Sequence, residues 1–85
     1  MEPMKVFFVD DEPIVISDLM TRIDWNLEGF EIKGYAYSAE SALTLIKEYM
    51  PDLVFVDVAL PGMSGLELSA KIREINRNTI IVILS

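Results

Sequence analysis

Leu53-Val54-Phe55-Val56-Asp57 is four apolar residues, mostly β-formers, closed by an aspartate. A strand without polar alternation is one buried on both faces, as in a parallel sheet covered by helices. The same reading applies upstream to Val6-Phe7-Phe8-Val9, which runs into Asp10-Asp11-Glu12. It applies downstream to Thr79 to Leu84 (Thr-Ile-Ile-Val-Ile-Leu), which is followed by Ser85. Phe30 to Ala36 is a further strand with weaker burial, expected near an edge.

The segments between these strands have helical spacing. Asp11 is a candidate N-cap, with Pro13 in the first turn, and Ile16, Leu19, Met20 and Ile23 fall on one face. The periodicity lapses from Trp25 to Gly29, which reads as a connection. Ser38 is placed to cap a helix that buries Ala39, Ala42, Leu43 and Ile46 and ends at Pro51. After a Pro61-Gly62 turn, Ser64 and Glu67 form a capping-box pattern. The helix behind them has Leu68, Ile72 and Ile75 on one side. Strand and helix alternate without a linker or repeat. This predicts one α/β domain over 1–85, a doubly wound parallel sheet of four strands and three helices with right-handed crossovers.

In open parallel sheets the functional groups collect just beyond the carboxyl ends of the strands. Here those ends carry Asp10-Asp11-Glu12, Asp57 and Ser85. The strands ending at Asp10 and Asp57 become neighbours if the second strand lies outside the first. Carboxylates gathered there repel one another. At about 4 Å each pair costs ~1 kcal/mol in water and up to ~4 kcal/mol at an effective dielectric near 20. Such a cluster needs a cation or shared protons. All-oxygen ligation suits Mg²⁺, which takes few protein carboxylates and keeps several waters. Mg²⁺ beside a nucleophilic aspartate is a phosphoryl-transfer arrangement. The Ser85 hydroxyl could then donate to a phosphoryl oxygen.

Composition narrows the alternatives. The 85 residues are 52% apolar, enough for one modest folded domain. Seven basic and fourteen acidic residues give a net charge of −7, which argues against nucleic-acid backbone binding by this segment. Without cysteine there is no disulfide, thiolate metal site or cysteine nucleophile. The longest apolar run, Ile80 to Leu84, is too short to span a bilayer. The Met1-Glu2-Pro3-Met4-Lys5 start has no secretory pattern, so the expected location is cytoplasmic.

Val9-Asp10-Asp11-Glu12-Pro13, Asp52-Leu53-Val54-Phe55-Val56-Asp57, Leu60-Pro61-Gly62-Met63-Ser64-Gly65 and Ile83-Leu84-Ser85 together resemble the signature of response-regulator receiver domains of two-component systems. The resemblance covers the whole chain. It implies a flavodoxin-like fold with strand order 2-1-3-4. It also implies that Asp57 accepts phosphate from a histidine kinase, that Asp10, Asp11, Asp57 and the Ala59 backbone carbonyl hold Mg²⁺, and that Ser85 is the switch hydroxyl. Such a domain is a phosphoacceptor and not an enzyme acting on a separate substrate. The stretch Ile23-Asp24-Trp25 with Gly29-Phe30-Glu31 resembles receivers joined to AraC-type helix-turn-helix output domains, which implies a role in transcription. The family's fold continues through a fourth helix, a fifth strand and a fifth helix, and its phosphoryl-pairing lysine ends that fifth strand. Residues 1–85 are therefore expected to be the N-terminal portion of a receiver, without the catalytic lysine.

Each residue also has a plainer reading. Asp10 and Asp11 could be only a helix cap, Asp57 an ordinary loop residue, and Glu12 a solvated first-turn acid favoured by the helix dipole. Trp25 reads as packing at a helix end, and Gly62 and Gly65 as turn residues. A haloacid-dehalogenase-like phosphatase would need an aspartate two positions after its nucleophile. Val58-Ala59 follows Asp57 and Asp11-Glu12 follows Asp10, so the pattern fails twice. A flavin or nucleotide module would want a glycine-rich turn where three acids stand. A receiver-like interaction module that is never phosphorylated stays as the alternative. The uncharged fourth strand, with an edge open to pairing, is expected to drive self-association.

Overall fold

The structure, a computed structural model, describes residues 2–85. Four parallel strands, β1 (Met4–Val9), β2 (Phe30–Ala36), β3 (Leu53–Asp57) and β4 (Ile80–Leu84), form one sheet in the order β2-β1-β3-β4. Three helices alternate with them: α1 (Pro13–Arg22), α2 (Ala39–Tyr49) and α3 (Gly65–Ile75). The α/β class, the strand order and the alternation match the sequence reading. Among the described residues no helix is long and apolar enough to cross a membrane.

The unbroken apolar strands are explained by a core on each side of the sheet. On one side Phe7, Val9, Val54 and Val56 pack beneath α2 and α3, against Ala42, Ile46, Leu68 and Ile72. On the other, Val6, Phe8 and Leu53 pack with Ile16 of α1 and with Trp25. Trp25 takes the packing role expected of it. It is buried against Phe8, Phe30 and Phe55, and its indole N–H donates to the Leu19 carbonyl at 3.0 Å. An aromatic cluster of this kind stabilises by burial and by edge-to-face contacts of about 0.5–1.5 kcal/mol each.

Local signals fared unevenly. Ser38 accepts from the Ser41 amide at 3.2 Å, and Ser64 from the Glu67 amide at 3.1 Å, so both N-caps form as expected. Asp11 does not cap α1. The cap residue is Glu12, whose side chain makes no capping bond. Ile23 lies past the end of α1 and is exposed, so the buried face of that helix is Ile16 with half-buried Leu19 and Met20. Helix α2 stops one turn residue before Pro51, at Met50, which adopts the left-handed conformation (φ 48°) and donates its N–H to the Ile46 carbonyl at 2.8 Å. A side chain there costs roughly 1 kcal/mol that glycine avoids, partly offset by glycine's freer unfolded chain. Met50→Gly is expected to be neutral to stabilising by about 0.5 kcal/mol, whereas most substitutions destabilise. A urea midpoint that falls would show that the Met50 side chain contributes packing.

Two further contacts tie the amino end of β3 to its neighbours. The Asp52 carboxylate accepts the Lys5 amide at 2.7 Å, and the buried Thr79 hydroxyl donates to the Pro51 carbonyl at 3.2 Å. They hold the sheet edge away from the acids, so that β1, β3 and β4 end in register at the other.

Candidate functional site

The carboxyl ends of β1, β3 and β4 open onto a cleft of about 450 Å³ lined by Asp10, Asp11, Glu12, Asp57, Ala59 and Ser85, with Val15 and Leu84 as its apolar wall. The sequence-predicted site residues are thus brought together. Asp10, Asp11 and Asp57 each offer an oxygen within 4.8 Å of the others. Asp10 is buried, Asp57 half-buried and Asp11 exposed.

Each acid is held by its own local geometry. Asp10 Oδ1 accepts the Glu12 amide at 2.9 Å, a turn that leads directly into α1. This bond explains why Asp11 is not the cap. Asp10 satisfies the backbone ahead of the helix, and the Asp11 side chain is left facing the cleft. Asp57 Oδ1 accepts the Ala59 amide at 3.1 Å, and its Oδ2 has no hydrogen bond among the described residues. The segment after Asp57 is pinned on both sides. The Val58 N–H donates to the Leu84 carbonyl at 2.9 Å, and the Val58 carbonyl accepts from the Gly65 N–H at 3.0 Å. The first of these bonds brings the end of β4, and with it Ser85, to the cleft.

Gly65 is a site-shaping residue that a turn assignment misses. It is the first residue of α3, and a Cβ there would collide with the Asp57 carbonyl oxygen and lie 2.8 Å from Val58 Cα. Only glycine lets α3 begin directly against the backbone that carries Asp57. The Gly-after-Ser64 position was the available signal, since a capping Ser followed by glycine at the first helical position has no propensity reason. Gly62, with φ 79° and no atoms near its missing Cβ, is the turn residue expected.

The field in the cleft is one-signed. Among the described residues no lysine or arginine lines it. The Asp10 carboxyl is pushed above the usual aspartate range, chiefly by burial and further by the charges of Asp57 and Asp11, while the Glu12 amide opposes the shift. A hard cation relieves all three causes at once. The donor set fits Mg²⁺, being oxygen only, in a chain without histidine or cysteine.

Comparison with known proteins agrees with this geometry. The response regulator receiver domain family matches residues 6–85. The chain is 35% identical over 82 residues to the transcriptional regulatory protein MalR of Bacillus subtilis, covering 96% of this chain and 34% of that protein. Among solved structures it resembles the REC domain of AraT, a response regulator from Geobacillus stearothermophilus. The TM-score is 0.89 at 35% identity, covering 94% of this chain and 62% of that one. It also resembles the CheX-CheY-BeF3-Mg complex from Borrelia burgdorferi, with a TM-score of 0.83 at 27% identity, covering 96% of this chain and 61% of that one. The chain spans about a third of the length of MalR. With the family match running from β1 to Ser85 and the acids gathered at the strand ends, this chain belongs to the response-regulator receiver domains of two-component systems.

Proposed function

We propose that Asp57 accepts a phosphoryl group from a phosphohistidine of a histidine kinase, with Mg²⁺ held by Asp10, Asp11, Asp57 and the Ala59 carbonyl. The observation that carries this reading is the meeting of three carboxylates within 4.8 Å at the ends of two buried strands. In the step itself, Asp57 Oδ2 attacks phosphorus as the P–N bond breaks, and the imidazole leaves with the bonding electron pair. The Ala59 N–H holds Oδ1, which fixes the rotamer and presents Oδ2 to the donor. When bound, Mg²⁺ supplies positive charge against the carboxylates and the incoming phosphoryl oxygens. Asp10 and Asp11 contribute the charge that holds the cation, and the Ser85 hydroxyl donates to a phosphoryl oxygen. The chain acts as a phosphoacceptor, catalysing at most its own phosphorylation and dephosphorylation.

The same reading covers the wider protein. A receiver domain continuing beyond these residues would supply the phosphoryl-pairing lysine. An output domain of AraC type, acting on transcription in the cytoplasm, is proposed from the Ile23-Asp24-Trp25 and Gly29-Phe30-Glu31 resemblance. A second reading, an interaction module that takes no phosphate, is favoured by one observation: no cationic side chain lines the cleft among the described residues. Acetyl phosphate separates the two. Intact-protein mass should rise by one phosphoryl group with Mg²⁺ present and not after chelation. A chain that stays unmodified with Mg²⁺ present supports the second reading.

A further inference from the structure

Along β2 the register with β1 jumps between Ile32, opposite Val6, and Gly34, opposite Phe7, which leaves Lys33 as an extra, bulged residue. The bulge changes which side chains face which layer. Side chains alternate along a strand. Phe30 and Ile32 pack on the α1 side, so strict alternation would bring Gly34 and Ala36 to that side and send Tyr35 and Tyr37 to the other. The extra residue inverts the pattern. Ala36 goes to the core beneath α2 and α3, and Tyr35 and Tyr37 stand over α1. Their rings lie 5.3 Å apart, tilted by 41°, and remain 43% and 45% exposed.

A groove results between α1 and β2. One part, of about 210 Å³, has Ile16 and Met20 facing the two tyrosines, with the Ser17 and Thr21 side chains beside them. Met20 is shared with the other part, of about 410 Å³, where Ile23, Trp25 and Ile32 are the apolar wall and Asp24, Asn26 and Glu31 the polar one. None of these residues belongs to β3 or β4, and the groove follows the edge of the sheet that β2 forms. Charge is spread unevenly along it. Among the described residues the tyrosine part has no charged side chain. In the other part Glu31 is paired with Lys33 at 3.3 Å. The nearby Arg22 is held by Asp18 at 2.7 Å, so among the described residues Asp24 has no ion pair.

We propose that this groove docks a short amphipathic helix of a partner protein, with apolar side chains against Met20 and the two tyrosines and a Lys or Arg at Asp24. Helix α1 has 10 residues, so the groove alongside it is about 15 Å long and matches roughly three turns of a second helix. Such a segment offers apolar anchors at i, i+3 or i+4 and i+7. Exposed tyrosines suit the docking end, since each covers a large apolar area, has few rotamers to freeze and keeps a hydroxyl for a polar partner. Other occupants fit less well. A strand added to the β2 edge would meet the Lys33 bulge and the Glu31–Lys33 charges, devices that blunt an edge. A second copy of this chain would bring a net charge of −7 to an acidic rim. A basic helix is complementary in shape and in sign.

The test titrates the 85-residue chain with three peptides of about 14 residues, long enough to fill the groove as a helix. One has leucines at i, i+3, i+4 and i+7 with lysine elsewhere, the second has glutamate for lysine, and the third serine for leucine. In amide NMR spectra the Leu–Lys peptide should shift Met20, Asp24, Ile32 and Tyr35 most, and do so equally with Mg²⁺ present. It should bind at least about tenfold more tightly than the Leu–Glu peptide, and the Ser–Lys peptide should leave the groove amides unmoved. Tyr35→Ser combined with Tyr37→Ser should weaken Leu–Lys binding by at least about tenfold. Both side chains are exposed, so circular dichroism should not change. Asp24→Asn should weaken binding roughly threefold while keeping an acceptor for the Leu27 N–H. Shifts that are absent from the groove, or confined to the Asp10 and Asp57 cleft, overturn the proposal, as does equal affinity for the Leu–Lys and Leu–Glu peptides. Groove shifts that grow with chain concentration in the absence of peptide assign the groove to a second copy and overturn it too. Asp57→Ala should bind the Leu–Lys peptide like wild type, so this result and the phosphoacceptor reading stand or fall separately.

Discussion

Gly65→Ala is expected to destabilise the chain by about 2–3 kcal/mol, although alanine is the better helix former. The added Cβ would meet the Asp57 carbonyl oxygen and Val58 Cα, which are backbone atoms that cannot rotate away. Relief requires α3 to move off β3, which opens the Gly65 to Val58 hydrogen bond and loosens the packing of Leu68 and Ile72. For a domain of this size each kcal/mol shifts the melting temperature by roughly 4–8 °C, so a fall of about 10–20 °C is expected. The comparison variant is Gly62→Ala. It has open space around the new Cβ but a positive φ, and should cost only about 1 kcal/mol. Thermal melts that rank the two in the opposite order would show that α3 shifts without resistance. Because the collision is with the Asp57 carbonyl itself, Gly65→Ala should also weaken Mg²⁺ binding in whatever fraction remains folded.

Much of this architecture was legible because the strands are simple. Three apolar runs with no alternation can be buried only between two helical layers, and that fixes a parallel sheet whose ends are predictable. The acids followed from the strand ends. What the sequence did not disclose depended on close approach and on competition between neighbouring groups. Gly65 looks like any turn glycine until α3 is placed against Asp57. Asp11 looks like a cap until Asp10 is seen to hold the Glu12 amide. Ile23 shares the helical period of α1, yet the helix ends at Arg22 and the side chain is left exposed. Lys33 gives no sign in one dimension that it bulges out of the edge strand.

The second large effect concerns charge. Mg²⁺ at a hundredfold excess over its dissociation constant should stabilise the chain by about 2.7 kcal/mol through linkage, raising its melting temperature by roughly 10–20 °C. Asp10→Asn should abolish that response. It should also stabilise the metal-free chain by about 1 kcal/mol, because asparagine keeps the acceptor for the Glu12 amide while removing one charge from the cluster. The pH dependence gives the same answer. The Asp10 carboxyl is raised in the folded state, so folding favours its protonated form. Its contribution to stability is fully present below the ordinary aspartate range and is lost as pH rises through the raised folded value. Metal-free wild type should therefore lose stability relative to Asp10→Asn as pH climbs through that window, and saturating Mg²⁺ should cancel the difference. An unchanged Mg²⁺ response in Asp10→Asn would move the cation away from this cleft.

The phosphoacceptor assignment is tested most directly by locating the acyl phosphate. The chain is incubated with acetyl phosphate and Mg²⁺, reduced with borohydride, digested and mapped by mass spectrometry. Borohydride converts an aspartyl phosphate to homoserine, so the modified position is recorded in the peptide. The expected result is homoserine at position 57 alone, absent when Mg²⁺ is chelated and absent in Asp57→Ala. Homoserine at Asp10, Asp11 or any other aspartate while Asp57 is intact would contradict the account.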